Sequence, residues 1–197
     1  MVYILLAPGF EEAEALVPAD LLRRAGIETA LVSLEGDSVT GSHQITVKAD
    51  LELSQVDLGR ASMLMLPSGG RGVENLGKSS AVAALVREAA EGGIPLAAIC
   101  AAPTLLARWG LLEGKQAVCY PGMENQLTGA LIRAEAGVVE DGDRITGRAA
   151  RAQHAAQLCR AHAKTFHRLL ADALYHEDAP RLAHPVVAAA GLAFVTS

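Results

Sequence analysis

Aromatic side chains make up only 4% of the 197 residues, although 51% of the chain is apolar. A core with so few rings must be filled by Ala, Leu and Val, the usual filling where helices flank a sheet. There is no basic excess either. The formal net charge is -5, which lacks the electrostatic footprint of a nucleic-acid binder. Three cysteines, none in a C-x-x-C pair, supply neither a disulfide framework nor a zinc site; they point to a reducing compartment, and the expected location is cytoplasmic. His154, His162 and His167 have no carboxylates or cysteines at zinc-site spacing, so no metal is expected. No apolar run reaches the roughly 20 residues of a membrane span; the longest weakly polar stretch runs only from Val186 to Val195. Met1 to Leu6 is apolar, but it has no basic segment before it and meets Pro8-Gly9 too early for a secretory leader, so it reads as a first strand. The expectation is a soluble protein without membrane or nucleic-acid partners.

What is there is a regular alternation. Tyr3 to Leu6 reads as a buried strand, Glu11 to Ala25 as a helix closed by Gly26, Ile27 to Leu34 as a second strand, and Ala61 to Leu66 as a third. A helix from about Ser79 to Ala90 precedes a fourth buried strand, Leu96 to Ile99. Gly36 to Lys48 carries alternating β-type residues around Thr40-Gly41-Ser42, a small hairpin expected to be peripheral. Gln116 to Cys119 and Gly137 to Thr146 read as later short strands, and Arg148 to Tyr175 as a long helical pattern uninterrupted by Gly or Pro. Buried strands alternating with helices require crossover connections, hence a mostly parallel sheet covered on both faces. The fold class is α/β, a flavodoxin-like doubly wound sheet, in a single domain spanning 1–197.

Three segments then converge beyond the carboxyl ends of the strands, where such sheets bind ligands. Cys100 stands where an apolar strand run passes directly into a helical run, with the small residues Ala98 and Ala102 two positions to either side. A sharp strand-to-helix turn of this kind exposes a nucleophile, as in G-x-S-x-G elbows, and a following helix favours thiolate over thiol. The alternative is a small buried hydrophobe, as most free cysteines are. Gly69 and Gly70 follow the strand ending at Leu66, and their N–H groups could face a substrate oxygen; an ordinary glycine turn is the other reading. Glu14 shares a helical face with Val17, Leu21 and Ala25, so a carboxyl occupies the apolar stripe. Burial there would keep it protonated and able to act as acid or base, whereas Glu11 and Glu12 suit the helix dipole.

Gly9-Phe10-Glu11-Glu12-Ala13-Glu14, Pro18 to Ile27, Leu66-Pro67-Ser68-Gly69-Gly70 and Ala97 to Pro103 resemble the ThiJ/PfpI superfamily, and within it the DJ-1-like branch. The similarity runs in order and spacing from Met1 to about Gly147. It implies a homodimer with Cys100 as nucleophile and oxidation-sensitive thiol, Glu14 hydrogen-bonded to it, and Gly69, Gly70, Ala101 and Tyr120 around the oxyanion or substrate. It also implies a cofactor-independent enzyme acting on a small aldehyde, converting methylglyoxal or glyoxal to hydroxy acids or removing early glycation adducts, or else an oxidative-stress sensor or chaperone.

Two departures qualify this. Cys119-Tyr120-Pro121 stands where several relatives place a histidine before a proline, and tyrosine cannot act as a base near neutral pH as histidine does. That favours, as the alternative, a non-enzymatic redox sensor working through oxidation of Cys100, since sulfinate formation needs only a low-pKa, accessible thiolate and donors for its oxygens. Cys119 reads as packing. Amide hydrolysis would need a histidine beside the cysteine, and Ala101 follows Cys100 instead. After Gly147-Arg148 the resemblance stops abruptly, making 149–197 an atypical helical segment; a local change of reading frame in the gene would account for it, and resequencing tests that.

Overall fold

In the computed structural model, which describes residues 1–148, the chain alternates as expected between strands and helices. The first unit is β1 (Val2–Leu6), α1 (Glu12–Arg24) and β2 (Thr29–Ser33). A hairpin of β3 (Ser38–Thr40) and β4 (Thr46–Lys48) and a short β5 (Leu51–Glu52) follow. Next come β6 (Met63–Leu66), α2 (Gly70–Lys78), α3 (Ser80–Glu91), β7 (Leu96–Ile99) and α4 (Pro103–Arg108). The described part closes with β8 (Gln116–Ala117), β9 (Leu131–Ile132), β10 (Val138–Asp141) and β11 (Arg144–Gly147). The expected helix from Arg148 to Tyr175 lies outside the described residues.

Among the described residues, seven strands form one sheet in the order β10-β11-β7-β6-β1-β2-β5. Every pair in it is parallel except β10 with β11. Alternation along β1 explains why both faces are covered. Val2, Ile4 and Leu6 point into a core with Phe10, Ala15, Ala19 and Leu22 of the α1 side. Tyr3 and Leu5 point into the opposite core, with Val73 and Leu76 of α2, Val82 and Val86 of α3, and Leu105 and Leu106 of α4. Strands buried on both faces read as unbroken apolar runs, which is why β1, β6 and β7 stand out in the sequence.

Gly26 ends α1 with φ +76. Its N–H donates to the Arg23 carbonyl at 3.0 Å and that of Ile27 to Leu22 at 3.0 Å, the paired bonds of a Schellman cap. The stretch after Gly70, to which the sequence pattern assigns no element, is the helix α2, and Gly72 lets its backbone lie against Phe10: a Cβ there would stand 2.8 Å from the Phe10 Cα. Close packing overrides the low helix propensity of glycine. The β3–β4 hairpin is a separate two-stranded sheet at the periphery, as expected, but it is tied to the site loop. The Gly9 N–H donates to the Thr40 carbonyl and that of Ser42 to Phe10, both at 2.8 Å, so the hairpin holds the loop after β1.

The chain leaves β1 for β2 on one side and returns to β6 on the other. Loops that diverge at such a switch point leave a crevice at the strands' carboxyl ends. The loops after β1 and β6, and the adjoining one after β7, carry the site.

Candidate active site

Ile99 ends β7 and Pro103 starts α4, so Cys100, Ala101 and Ala102 make the whole connection. Cys100 has φ +63, a left-handed conformation that costs a residue with a Cβ about 1–2 kcal/mol. Hydrogen bonds fix it there: its N–H donates to the Gly147 carbonyl at 2.8 Å, and its carbonyl accepts from the Tyr120 N–H at 2.7 Å. Ala98 and Ala102 are fully buried beside it, where larger side chains would have no room. The thiol is half-buried. Backbone strain of this kind persists only where surrounding contacts over-determine it.

Glu14 reaches the sulfur from α1. The Glu11 side chain caps that helix by accepting the Glu14 N–H at 2.8 Å, and this sets the first turn so that Glu14 faces the sheet. Its carboxyl is 1% exposed. There Oε2 accepts the Ser68 N–H at 2.9 Å, and the side chain hydrogen-bonds with Cys100. Ser68, which sequence patterns did not single out, thus joins the loop after β6 to both functional side chains. Its only sequence signal was a polar residue directly beyond a buried strand.

The surroundings push the Cys100 thiol up to about 12, first through burial and then through the negative charge of Glu14. Hydrogen bonds from Ser68 and from the Ala101 backbone act in the opposite direction. The expectation that the following helix would favour the thiolate is therefore corrected. That helix has six residues and begins beyond the turn with a proline, which has no N–H to offer. Thiolate and carboxylate side by side repel, which keeps the proton on the sulfur. Glu14 accepting the thiol proton as the sulfur attacks is the arrangement this pair supports.

Gly69 is the N-cap of α2 with φ +99, and a Cβ on it would lie 2.3 Å from the Gly9 carbonyl oxygen and 2.7 Å from the Glu11 nitrogen. Only glycine fits. A Cβ on Gly70 would meet nothing within 4 Å, so the backbone there borders open space. The N–H groups opening α2 have no partner within the helix, and none among the described residues accepts from Gly69 or Gly70. The Ala101 N–H, by contrast, donates to Ser68 Oγ at 3.2 Å. Tyr120 is tied to the Cys100 turn by its backbone, with a side chain 48% exposed. Cys119 is fully buried in the core, its thiol pushed up to about 11 by burial and by Glu124.

Away from this centre, Glu12 is 5% exposed and accepts from Ser42 Oγ at 3.1 Å and from the His43 N–H at 2.7 Å, with His43 Nδ1 at 2.8 Å. Burial alone would raise its carboxyl, but the bonds from His43 and Ser42 prevail and hold it at about 2. The same contact raises His43. Glu11, Glu12 and His43 bring their ligand atoms within 4.8 Å of one another, yet Glu11 already caps α1 and Glu12 serves the hairpin, so neither is available to a cation. No described helix is long and apolar enough to cross a membrane.

Comparison with known proteins agrees with this architecture. The chain is 41% identical over 147 residues to the protein dj-1beta of Drosophila melanogaster, covering 74% of this chain and 79% of that one. It is 32% identical over 148 residues to a deglycase of Pyrococcus horikoshii, covering 75% of this chain and 89% of the relative. The crystal structure of Drosophila melanogaster DJ-1beta superposes with a TM-score of 0.76 at 37% identity, covering 82% of this chain and 88% of that one. The DJ-1/PfpI family model matches residues 1–165, past the point near Gly147 where the resemblance was expected to stop. With the family's order of segments and its fold both present, the chain belongs to the DJ-1/PfpI family.

Proposed function

We propose that the protein is a cysteine-dependent, cofactor-independent enzyme acting on reactive 2-oxoaldehydes, of glyoxalase III or deglycase type. The observation that carries this reading is the contact between Glu14, 1% exposed, and the strained Cys100, an acid-base group placed against a nucleophile. Relatives named deglycases support it. Cys100 adds through sulfur to the aldehyde carbon; the carbonyl electron pair goes to oxygen, giving a hemithioacetal as Glu14 takes the thiol proton. Glu14 returns that proton to the adduct oxygen and then moves a proton from the aldehyde carbon to the neighbouring carbon, while the hydroxyl proton passes to the neighbouring oxygen, which leaves a thioester. Water cleaves the thioester, releasing the hydroxy acid (lactate from methylglyoxal, glycolate from glyoxal) and restoring the thiol. The Gly69 and Gly70 N–H groups are the donors for the developing oxyanion. Methylglyoxal consumption without glutathione tests it: activity should vanish in Cys100→Ser and fall by about 10²–10⁴-fold in Glu14→Gln, and unchanged consumption in both sinks the reading.

Tyr120 favours a second reading. Where a histidine base is replaced by a half-exposed tyrosine, Cys100 serves as an oxidation sensor rather than a catalyst. Mild peroxide should then add two oxygens to Cys100 by intact mass while turnover stays negligible; an unmodified Cys100 counts against it.

A further inference from the structure

The reaction above gives Ser68 no part, yet its N–H and its hydroxyl are both committed to the reacting centre, while its carbonyl accepts the Glu11 N–H at 2.8 Å. Ser68 is 2% exposed. Its N–H donates to Glu14 Oε2 at 2.9 Å, its Oγ accepts the Ala101 N–H at 3.2 Å, and its hydroxyl hydrogen-bonds with Cys100. A serine hydroxyl has one proton and two lone pairs. With Oγ accepting from Ala101, the proton is the part left for the sulfur. The Ala101 N–H, which the turn would otherwise offer to an oxyanion, is in turn occupied by Ser68.

We propose that Ser68 is a third functional side chain of this centre, taking the N–H of Ala101 on its oxygen and giving its own proton to the Cys100 sulfur. The bond favours the charged sulfur, because a hydroxyl donates more strongly to thiolate than to thiol. Once sulfur bonds to the aldehyde carbon and the carbonyl electron pair moves to oxygen, the sulfur is a poor acceptor. Rotation about the Ser68 Cβ–Oγ bond then turns the same proton to the new oxyanion without moving a heavy atom. Ser68 thus stabilises the nucleophile before attack and the adduct after it. The proposal rests on Cys100 being the reacting thiol but not on which aldehyde it meets.

The test is the pH dependence of Cys100 alkylation by iodoacetamide, followed by peptide mass, in the full chain and in Ser68→Ala, Ser68→Gly and Ser68→Thr. Ser68→Ala should move the midpoint up by about one pH unit, making alkylation about tenfold slower below both midpoints. Ser68→Thr, which keeps a hydroxyl, should restore the midpoint. If Ser68→Ala fails to fold, Ser68→Gly gives the same reading, since it keeps the N–H to Glu14. An unchanged midpoint in the hydroxyl-free variant overturns the proposal, as does Ser68→Thr behaving like Ser68→Ala. Alkylation needs no substrate. A shifted midpoint with no methylglyoxal turnover would therefore refute the enzymatic reading and leave this one standing.

Discussion

At the scale of single residues, the reactive side chain is also the strained one. Cys100 has φ +63, which a glycine would adopt freely. Cys100→Gly should therefore be more stable than Cys100→Ala by about 1 kcal/mol in urea unfolding; equal stabilities would show that the turn relaxes. The same site separates the nucleophile from the proton carrier. Glu14→Gln should lower turnover by about 10²–10⁴-fold while leaving Cys100 open to alkylation, and loss of both would mean a collapsed site. Glu14 was legible in the sequence because a carboxyl on an apolar helical stripe breaks a strong pattern. Ser68 was not, because Pro-Ser-Gly-Gly reads as any turn and nothing local tells that both faces of the serine meet distant segments. The direction of the Cys100 shift was also misread, since burial and Glu14 arrive from the tertiary fold and outweigh the short helix that follows.

Among elements, α2 shows how the site loop is kept in place. Gly69→Ala would combine a left-handed φ with a contact of 2.3 Å to the Gly9 carbonyl oxygen, and should cost roughly 2–4 kcal/mol in urea unfolding. Gly70→Ala, with no neighbour within 4 Å, should stay within about 0.5 kcal/mol. Equal costs would refute the claim that backbone crowding selects glycine at 69. α2 was not legible because its glycines break the helical pattern, and the contact that makes Gly72 necessary, against Phe10, lies far away along the chain. β1, β6 and β7 were legible for the opposite reason: burial on both faces writes itself as a local apolar run.

For the whole molecule, the titrating groups set opposite limits on stability. Cys100 and Cys119 hold their protons to about 12 and about 11, against 9.0 when unfolded. Above pH 9 the unfolded chain therefore releases protons that the folded chain keeps, and stability falls as pH rises toward these values. A Cys100→Ser, Cys119→Ser double variant should flatten that alkaline limb in thermal melts; an identical slope would contradict it. On the acid side the sign is reversed. Glu12 at about 2, against 4.5, adds stability that is complete above 4.5 and disappears as pH falls toward 2. His43→Ala should weaken this acid limb.

The carbonyl of Gly147 that receives the Cys100 N–H belongs to the last described strand, while Glu14 belongs to the first helix. The reactive turn is thus closed by contacts between residues 14, 68, 100, 120 and 147, most of them far apart in sequence, and such contacts form late in folding. A chain that lacks residue 147 cannot make the hydrogen bond from the Cys100 N–H that helps to hold the strained turn. The geometry of the turn therefore depends on both ends of the described stretch of chain.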